Sequence, residues 1–110
     1  MTTLTSPREI DALFRAGRSA ADRLLVVIVA PTPAGREPEG RLLFVAGGKV
    51  GPAVVRNRCK RVLREAARRA GGPWAGVDVA LVARRGLESA APAAIDKALS
   101  SALSRVDVAR

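Results

Sequence analysis

KVGPAVVRNRCKRVLREAARR, residues Lys49 to Arg69, holds seven of the chain's nineteen Arg and Lys residues between Arg56 and Arg69, against one acid, Glu65. At about 100° per residue, Val55, Cys59, Val62, Leu63, Ala66 and Ala70 fall on one face of a helix. Asn57, Lys60, Arg61, Arg64 and Arg68 fall on the opposite face, and Arg56, Arg58 and Arg69 flank the seam. A stripe of small apolar residues opposite a stripe of arginines suits a helix that docks on a core and turns its cations outward. Like charges on a helix destabilise it by roughly 0.2–0.5 kcal/mol per pair. Several of these lie in the N-terminal half, where the macrodipole also disfavours cations. A polyanionic partner would offset both costs.

Upstream of this helix, Gly47 to Gly51 forms a glycine-rich loop, and Pro52 opens the helix. The loop matches neither the Walker pattern nor the dinucleotide fingerprint, so a tight strand-to-helix turn is the better reading. Lys49 and the helix N-terminus would still attract an anion. Further upstream, Leu24–Ala30 is a continuous aliphatic run, and Arg41–Ala46 is a second apolar run; both are expected strands. The polar segment PTPAGREPEG, Pro31 to Gly40, joins them, and a long hairpin is expected. Near the N-terminus, Ser6-Pro7-Arg8-Glu9 predicts a helix start. Ser6 is the cap, Pro7 the first helical residue, and Glu9 the reciprocal partner of a capping box. Ile10, Leu13 and Phe14 share one side of that helix, and Gly17 stops it.

Downstream, Gly71-Gly72-Pro73 ends the basic helix. Val77–Ala83 reads as a third strand, followed by Arg84-Arg85-Gly86. Ser89 to Pro92 starts a last helix with an apolar stripe of Ile95, Leu99, Ala102, Leu103 and Val106. The order is α-β-β-α-β-α, and the tail past Val106 is expected to fray. One domain is expected over residues 1–110, with a core over about 6–106.

The totals narrow the function. At 110 residues the net charge is +9 and the pI about 11.5, which points to nucleic acid or an anionic membrane. Sixteen arginines against three lysines favour nucleic acid, because Arg forks onto phosphate and stacks on bases; genomic base composition gives the same bias. Histidine is absent and the carboxylates are scattered, which leaves no acid–base machinery to place. The single Cys59 falls on the apolar face with no base partner, so it reads as a small buried hydrophobe. Asp22 and Asp78 could help hold a hydrated magnesium ion, but nothing singles them out. Asn57 could bond a base edge, a ribose hydroxyl or local backbone. No charged region followed by an apolar run opens the chain, and Leu24–Ala30 is short of the roughly 20 residues a membrane helix needs. A cytoplasmic protein with no membrane partner is expected.

The run Ala53-Val54-Val55-Arg56-Asn57-Arg58-Cys59-Lys60-Arg61, with Arg64 following, resembles the signature of the bacterial ribonuclease P protein subunit, A-V-x-R-N-x-x-K-R-x-x-R. Every specified position matches. Phe14-Arg15-Ala16-Gly17-Arg18-Ser19, Lys49-Val50-Gly51 and Asp78-Val79-Ala80-Leu81-Val82-Ala83-Arg84 look like neighbouring parts of the same family. The resemblance covers roughly residues 6–106. It implies an α/β (α+β) domain of the ribosomal protein S5 domain 2-like type, with four strands, one of them very short near Ser19 and Ala20. It also implies a left-handed β-α-β crossover through the basic helix, where the general rule favours the right hand.

The implied function is assistance to a catalytic RNA that removes the 5′ leader of precursor tRNA, with magnesium used by the RNA and no catalytic residue in the protein. Partners would be the catalytic RNA and precursor tRNA, with no obligate protein partner. Arg56, Asn57, Arg58, Lys60, Arg61, Arg64 and Arg68 would face the catalytic RNA. Phe14, Ile10, Lys49 and Arg84 would belong to the leader cleft. The chain departs from the family in three places. Met1-Thr-Thr-Leu-Thr5 stands where a basic tail is usual, Ile10 and Ile28 replace aromatics, and Gly47-Gly48-Lys49 replaces Ser-Lys-Lys. Two other readings share the composition: a structural, ribosomal-protein-like RNA binder, and a free-standing nuclease, against which the missing histidine and scattered carboxylates weigh.

Overall fold

Burial along the strands assigns the two faces of the sheet. In the computed structural model, which describes residues 3–108, Leu25, Val27 and Val29 are buried while Val26, Ile28 and Ala30 between them are half-buried. The elements are α1 (Pro7–Ala16), β1 (Arg18–Ala21), β2 (Leu25–Pro31), β3 (Leu42–Val45), α2 (Ala53–Arg69), β4 (Val77–Ala83) and α3 (Pro92–Arg105). The four strands form a single sheet in the order β1-β2-β4-β3. β1 and β2 make an antiparallel hairpin, and β2 pairs antiparallel with β4, with Val27 opposite Leu81. β3 pairs parallel with β4, with Phe44 opposite Leu81, so α2 is the crossover between two parallel neighbours.

This order corrects the expected hairpin between the second and third apolar runs. β2 and β3 do not pair; β4 lies between them. The reason is burial on both sides. Asp78 to Leu81 are buried without a break, because both faces of this strand are covered, whereas β2 and β3 alternate. The free edge of β2 is taken by β1.

α2 and α3 cover one face. Cys59, Leu63, Ala66 and Ala67 from α2 and Ile95, Leu99 and Leu103 from α3 close over Leu25, Val27, Leu42, Phe44, Val79 and Leu81. The small Ala66 and Ala67, both fully buried, let α2 approach the sheet closely. The apolar stripe expected of α2 is therefore the one it buries, with Val55, Val62 and Ala70 at its rim.

α1 lies on the other face with a single buried residue, Leu13, among Leu4, Ala80, Ile10, Ile28, Ala30 and Leu43. Its start is as expected: Pro7 opens it, and the Ser6 hydroxyl accepts from the Glu9 amide at 3.4 Å. The reciprocal half of the capping box is corrected, because the Glu9 carboxylate is bonded to Arg36 instead. At Gly17 a Cβ would sit 2.4 Å from the Leu13 carbonyl oxygen and 2.7 Å from the Ile28 side chain, so the turn from α1 into β1 admits no side chain.

The packed region extends beyond the expected 6–106 core at both ends. Leu4 is buried and its amide donates to the Leu42 carbonyl at 2.7 Å. The expected fraying past Val106 is also corrected. Val108 is buried, its amide donates to Leu103 O at 3.0 Å, and Arg18 donates to Val106 O at 3.0 Å. Residues 109 and 110 lie outside the described part.

Candidate nucleic-acid interface

The chain has too few acids to neutralise its cations, and the fold concentrates them. Arg15 pairs with Asp11, Arg18 with Asp107, Arg41 with Glu39, Arg69 with Asp96, and Arg36 with both Glu9 and Asp78. Among the described residues, none of Arg56, Arg58, Lys60, Arg61, Arg64 and Arg68 has an ion-pair partner, and neither do Arg23, Lys49, Arg84 and Arg85. Among the described residues, Arg8 on α1 and Lys97 and Arg105 on α3 are also unpaired, but most of the uncompensated charge gathers on the outer face of α2 and at one end of the sheet.

On α2, Asn57, Arg58, Lys60, Arg61, Arg64 and Arg68 are exposed and Arg56 is half-buried. Arg56, Asn57 and Lys60 line one recess of about 230 Å³ with Ala46 and Ala53. Among the described residues, Asn57 makes no side-chain hydrogen bond and the buried Arg56 Nε has no partner. Arg64 lies over the Phe44 ring, 5.2 Å from its centroid, which holds the guanidinium in place without a competing acid. Arg69, at the seam, is drawn away from this face by Asp96 on α3, whose hydrogen bonds to it hold its pKa above the usual arginine value.

α1 sets one wall of a groove across the opposite face of the sheet. Ile10 and Phe14 stand one helical turn apart on α1; Ile10 packs on the sheet while Phe14 remains 44% exposed. Val26, Val82 and Val45 lie in register across three strands and stay half-buried, forming an apolar floor that α1 does not seal. One residue further along β4, Ala83 borders a recess of about 410 Å³ lined also by Arg23, Lys49, Val50, Arg84 and Arg85. Arg84 Nη1 donates to Asp22 O at 2.9 Å, and the Arg85 guanidinium donates to Lys49 O at 3.2 and 3.3 Å. These contacts to backbone orient the two arginines without consuming their charge. Gly51, at φ 146°, provides the sharp turn from this recess into α2; the 3-10 turn Gly48–Val50 precedes it, as the strand-to-helix reading requires.

The expected site residues thus fall into three groups. Arg56, Asn57, Arg58, Lys60, Arg61, Arg64 and Arg68 share α2. Ile10 and Phe14 share α1. Lys49 and Arg84 share the basic recess, whose lining does not include Phe14. Sequence reasoning missed Arg23 and Arg85, which reach the recess from a β-turn and from the end of β4. It also missed the row of valines, whose partners only the strand order reveals.

Among the described residues, no acid–base pair or metal centre emerges. Asp78 is occupied by Arg36, Thr32 and the Arg41 amide, and Asp22 Oδ1 accepts from the Leu24 amide at 3.3 Å. These bonds leave Asp78 with both oxygens engaged, whereas Asp22 has one. Among the described residues, no cluster of three metal-ligating side chains occurs. Cys59 is fully buried, and desolvation, then the nearby Glu88 carboxylate, pushes its thiol pKa up, away from a nucleophilic thiolate.

A protein-family model described as Ribonuclease P matches residues 1–107 of the chain. The ribonuclease P protein component of Brevibacillus brevis is 36% identical over 110 residues, spanning 96% of this chain and 82% of that protein. The RNase P protein from Thermotoga maritima superposes with a TM-score of 0.78 at 27% identity, covering 97% of this chain and 99% of the other. The RNase P protein of Staphylococcus aureus, at 23% identity, shares the fold with a TM-score of 0.81 over 98% and 97% of the two chains.

Proposed function

The chain belongs to the ribonuclease P protein component family, and from that premise we propose how its surfaces divide between two RNAs. It is the non-catalytic subunit of a ribonucleoprotein that matures tRNA, and the RNA subunit carries the active site and uses magnesium. The outer face of α2 binds the catalytic RNA. Arg58, Lys60, Arg61, Arg64 and Arg68 contact phosphates, with Arg56 and Asn57 in the recess at the helix start. The groove between α1 and the sheet receives the 5′ leader of precursor tRNA. Phe14 and Ile10 offer apolar contact to bases over the valine floor, and Lys49 and Arg84 meet the leader backbone at the basic end.

The partition of charge carries this reading. Acids accompany Arg36 and Arg69, which fasten one element to another, whereas among the described residues the cations of α2's outer face form no ion pair, with Glu65 the one acid beside them on the helix, and no acid lines the basic recess. Each phosphate neutralised by such a free cation releases a counterion, so affinity arises where no internal acid competes. The protein's part in catalysis is to hold the substrate's leader in position against the catalytic RNA, which converts part of the substrate's binding energy into orientation at the scissile bond. No helix among the described residues is long and apolar enough to cross a membrane. A cytoplasmic site of action, with the whole chain acting as one domain, completes the proposal.

The test is cleavage of precursor tRNA by a bacterial ribonuclease P RNA at low magnesium, with and without the chain. Stimulated cutting at the mature 5′ end is expected. Folded, RNA-bound protein that gives no stimulation with its cognate RNA would leave only a structural RNA binder. Cutting without any added RNA would reinstate a protein nuclease.

A further inference from the structure

Arg36 sits in the loop between β2 and β3, 13% exposed, with every guanidinium nitrogen engaged. Nη1 donates to Asp78 Oδ1 at 3.0 Å and to Glu39 O at 2.7 Å. Nη2 donates to Asp78 Oδ2 at 2.5 Å and to Glu9 Oε2 at 3.1 Å, and Nε donates to Glu9 Oε2 at 3.3 Å. Asp78 accepts further bonds from the Arg41 amide at 3.0 Å and the Thr32 hydroxyl at 3.5 Å. One arginine thus ties α1, through Glu9, to the central strand, through Asp78.

The two halves of this bridge differ in kind. The Arg36–Asp78 fork is buried and fastens the loop to the sheet. Glu9 reaches in from α1, and its side chain is spent on this contact instead of on its own helix cap. The helix needs such a fastening. It rests on the sheet through one buried side chain, Leu13. On the Glu9 flank a recess of about 390 Å³ opens between Ala12, Leu13 and Ala16 of α1 and Ala30, Pro31 and Pro33 beneath it. Packing on that flank leaves room for the helix to tilt. The opposite flank carries Ile10 and Phe14, so a tilt about Leu13 would move the groove wall.

We infer that the Glu9–Arg36–Asp78 bridge is a positioning device for leader recognition, fixing the set of α1 on the sheet and with it the place of Phe14 over the valine floor. The inference rests on the reading that this groove receives the leader. Arg36 and Glu9 touch no RNA in this scheme; they act through Phe14.

Glu9→Gln tests it, because the variant removes the charge that holds α1 while leaving the buried Arg36–Asp78 fork and the Ser6 cap. The holoenzyme, reconstituted from the full chain and a bacterial ribonuclease P RNA, would be titrated with precursor tRNA and with mature tRNA. The expected result is precursor binding weakened roughly five- to tenfold, the scale of a modest coupling between sites, with mature tRNA and catalytic-RNA affinities unchanged. In a Phe14→Ala background, Glu9→Gln should add no leader-specific loss. Equal losses for both substrates, or a full additional loss in the Phe14→Ala background, would overturn the positioning role. Phe14→Ala that selectively weakens precursor binding, beside a Glu9→Gln that does not, would remove the bridge inference and leave the groove assignment standing. Phe14→Ala with no leader selectivity would remove the groove assignment itself.

Discussion

Arg36 and Arg61 carry the same guanidinium on opposite faces of one sheet. Arg36 has all its nitrogens bonded to two carboxylates and a carbonyl, and those bonds raise its pKa beyond the already high arginine range. Arg61 is exposed on α2, with no acid paired to it among the described residues. The first has given up its capacity to bind anything else; the second keeps its full charge for a partner. Net charge alone does not separate these roles. The position of the acids does, and Glu9, Asp78 and Asp96 stand beside arginines that join elements.

The largest test of that contrast is Asp78→Asn against Arg61→Ala. Removing one partner of a buried ion pair strands the other, at a cost of about 3–5 kcal/mol. Asp78→Asn should therefore lower the urea midpoint markedly, read through Trp74, the chain's one tryptophan, which is buried against the core. Arg61→Ala should stay within about 0.5 kcal/mol of the parent, as exposed substitutions usually do. Its effect should appear only in RNA binding. Similar stability losses for the two variants would dissolve the distinction between fastening and binding arginines.

Phe14→Ala comes next. Base stacking on an aromatic side chain is worth about 1–3 kcal/mol per base. The variant should weaken precursor tRNA by that amount and spare mature tRNA, in competition binding to the reconstituted complex. Phe14 is exposed while Phe44 and Trp74 are buried, so aromatic stacking on the leader would rest on Phe14.

Arg64→Ala should then flatten the salt dependence of catalytic-RNA binding. Each lost phosphate contact lowers the magnitude of the log–log slope by about 0.7–0.9. Arg64 differs from Arg61 in resting on Phe44, so its variant should also lose some stability, about 0.5–1 kcal/mol for an exposed cation–π contact. An unchanged slope would take Arg64 out of the interface.

Much of this was legible in the sequence wherever the information is local. The period of Val55, Cys59 and Leu63 placed α2 and its two faces, and Ser6-Pro7 placed the start of α1. What stayed hidden depends on contacts distant in the chain. The two aliphatic runs looked like a hairpin because nothing within Pro31–Gly40 says that β4 will separate them; that follows from the burial of β4 on both sides. Glu9 looked like a capping residue because its alternative partner lies 27 residues away. Arg23 and Arg85 carry no local signal; the strand ends bring them to the same recess as Lys49. The four-strand arrangement and the groove came from resemblance to a family, since the period of a strand says nothing of its neighbours.

The smallest expected effect concerns the inward side of α2, where Cys59 faces the core opposite the free cations. Burial and Glu88 raise the thiol's pKa in the folded state, so the folded protein prefers the protonated thiol more than the unfolded chain does. The resulting stabilisation is fully present below the unfolded thiol value of about 8.5 and is lost as pH rises through the higher folded value. Arginine does not titrate in this range, so the arginines of the phosphate-binding face keep their charge while the buried face weakens. Urea midpoints measured from pH 7 to about 10 should fall more steeply for the parent than for Cys59→Ala, after each is referred to its own value at pH 7. Between pH 7 and about 8.5, below the range where lysine titrates, catalytic-RNA binding by the folded fraction should keep the same salt slope. Parallel stability curves would mean that the thiol does not feel its burial. A salt slope that changed with pH would mean that the two faces of α2 are not independent, and the separation between core and interface on this one helix would have to be given up.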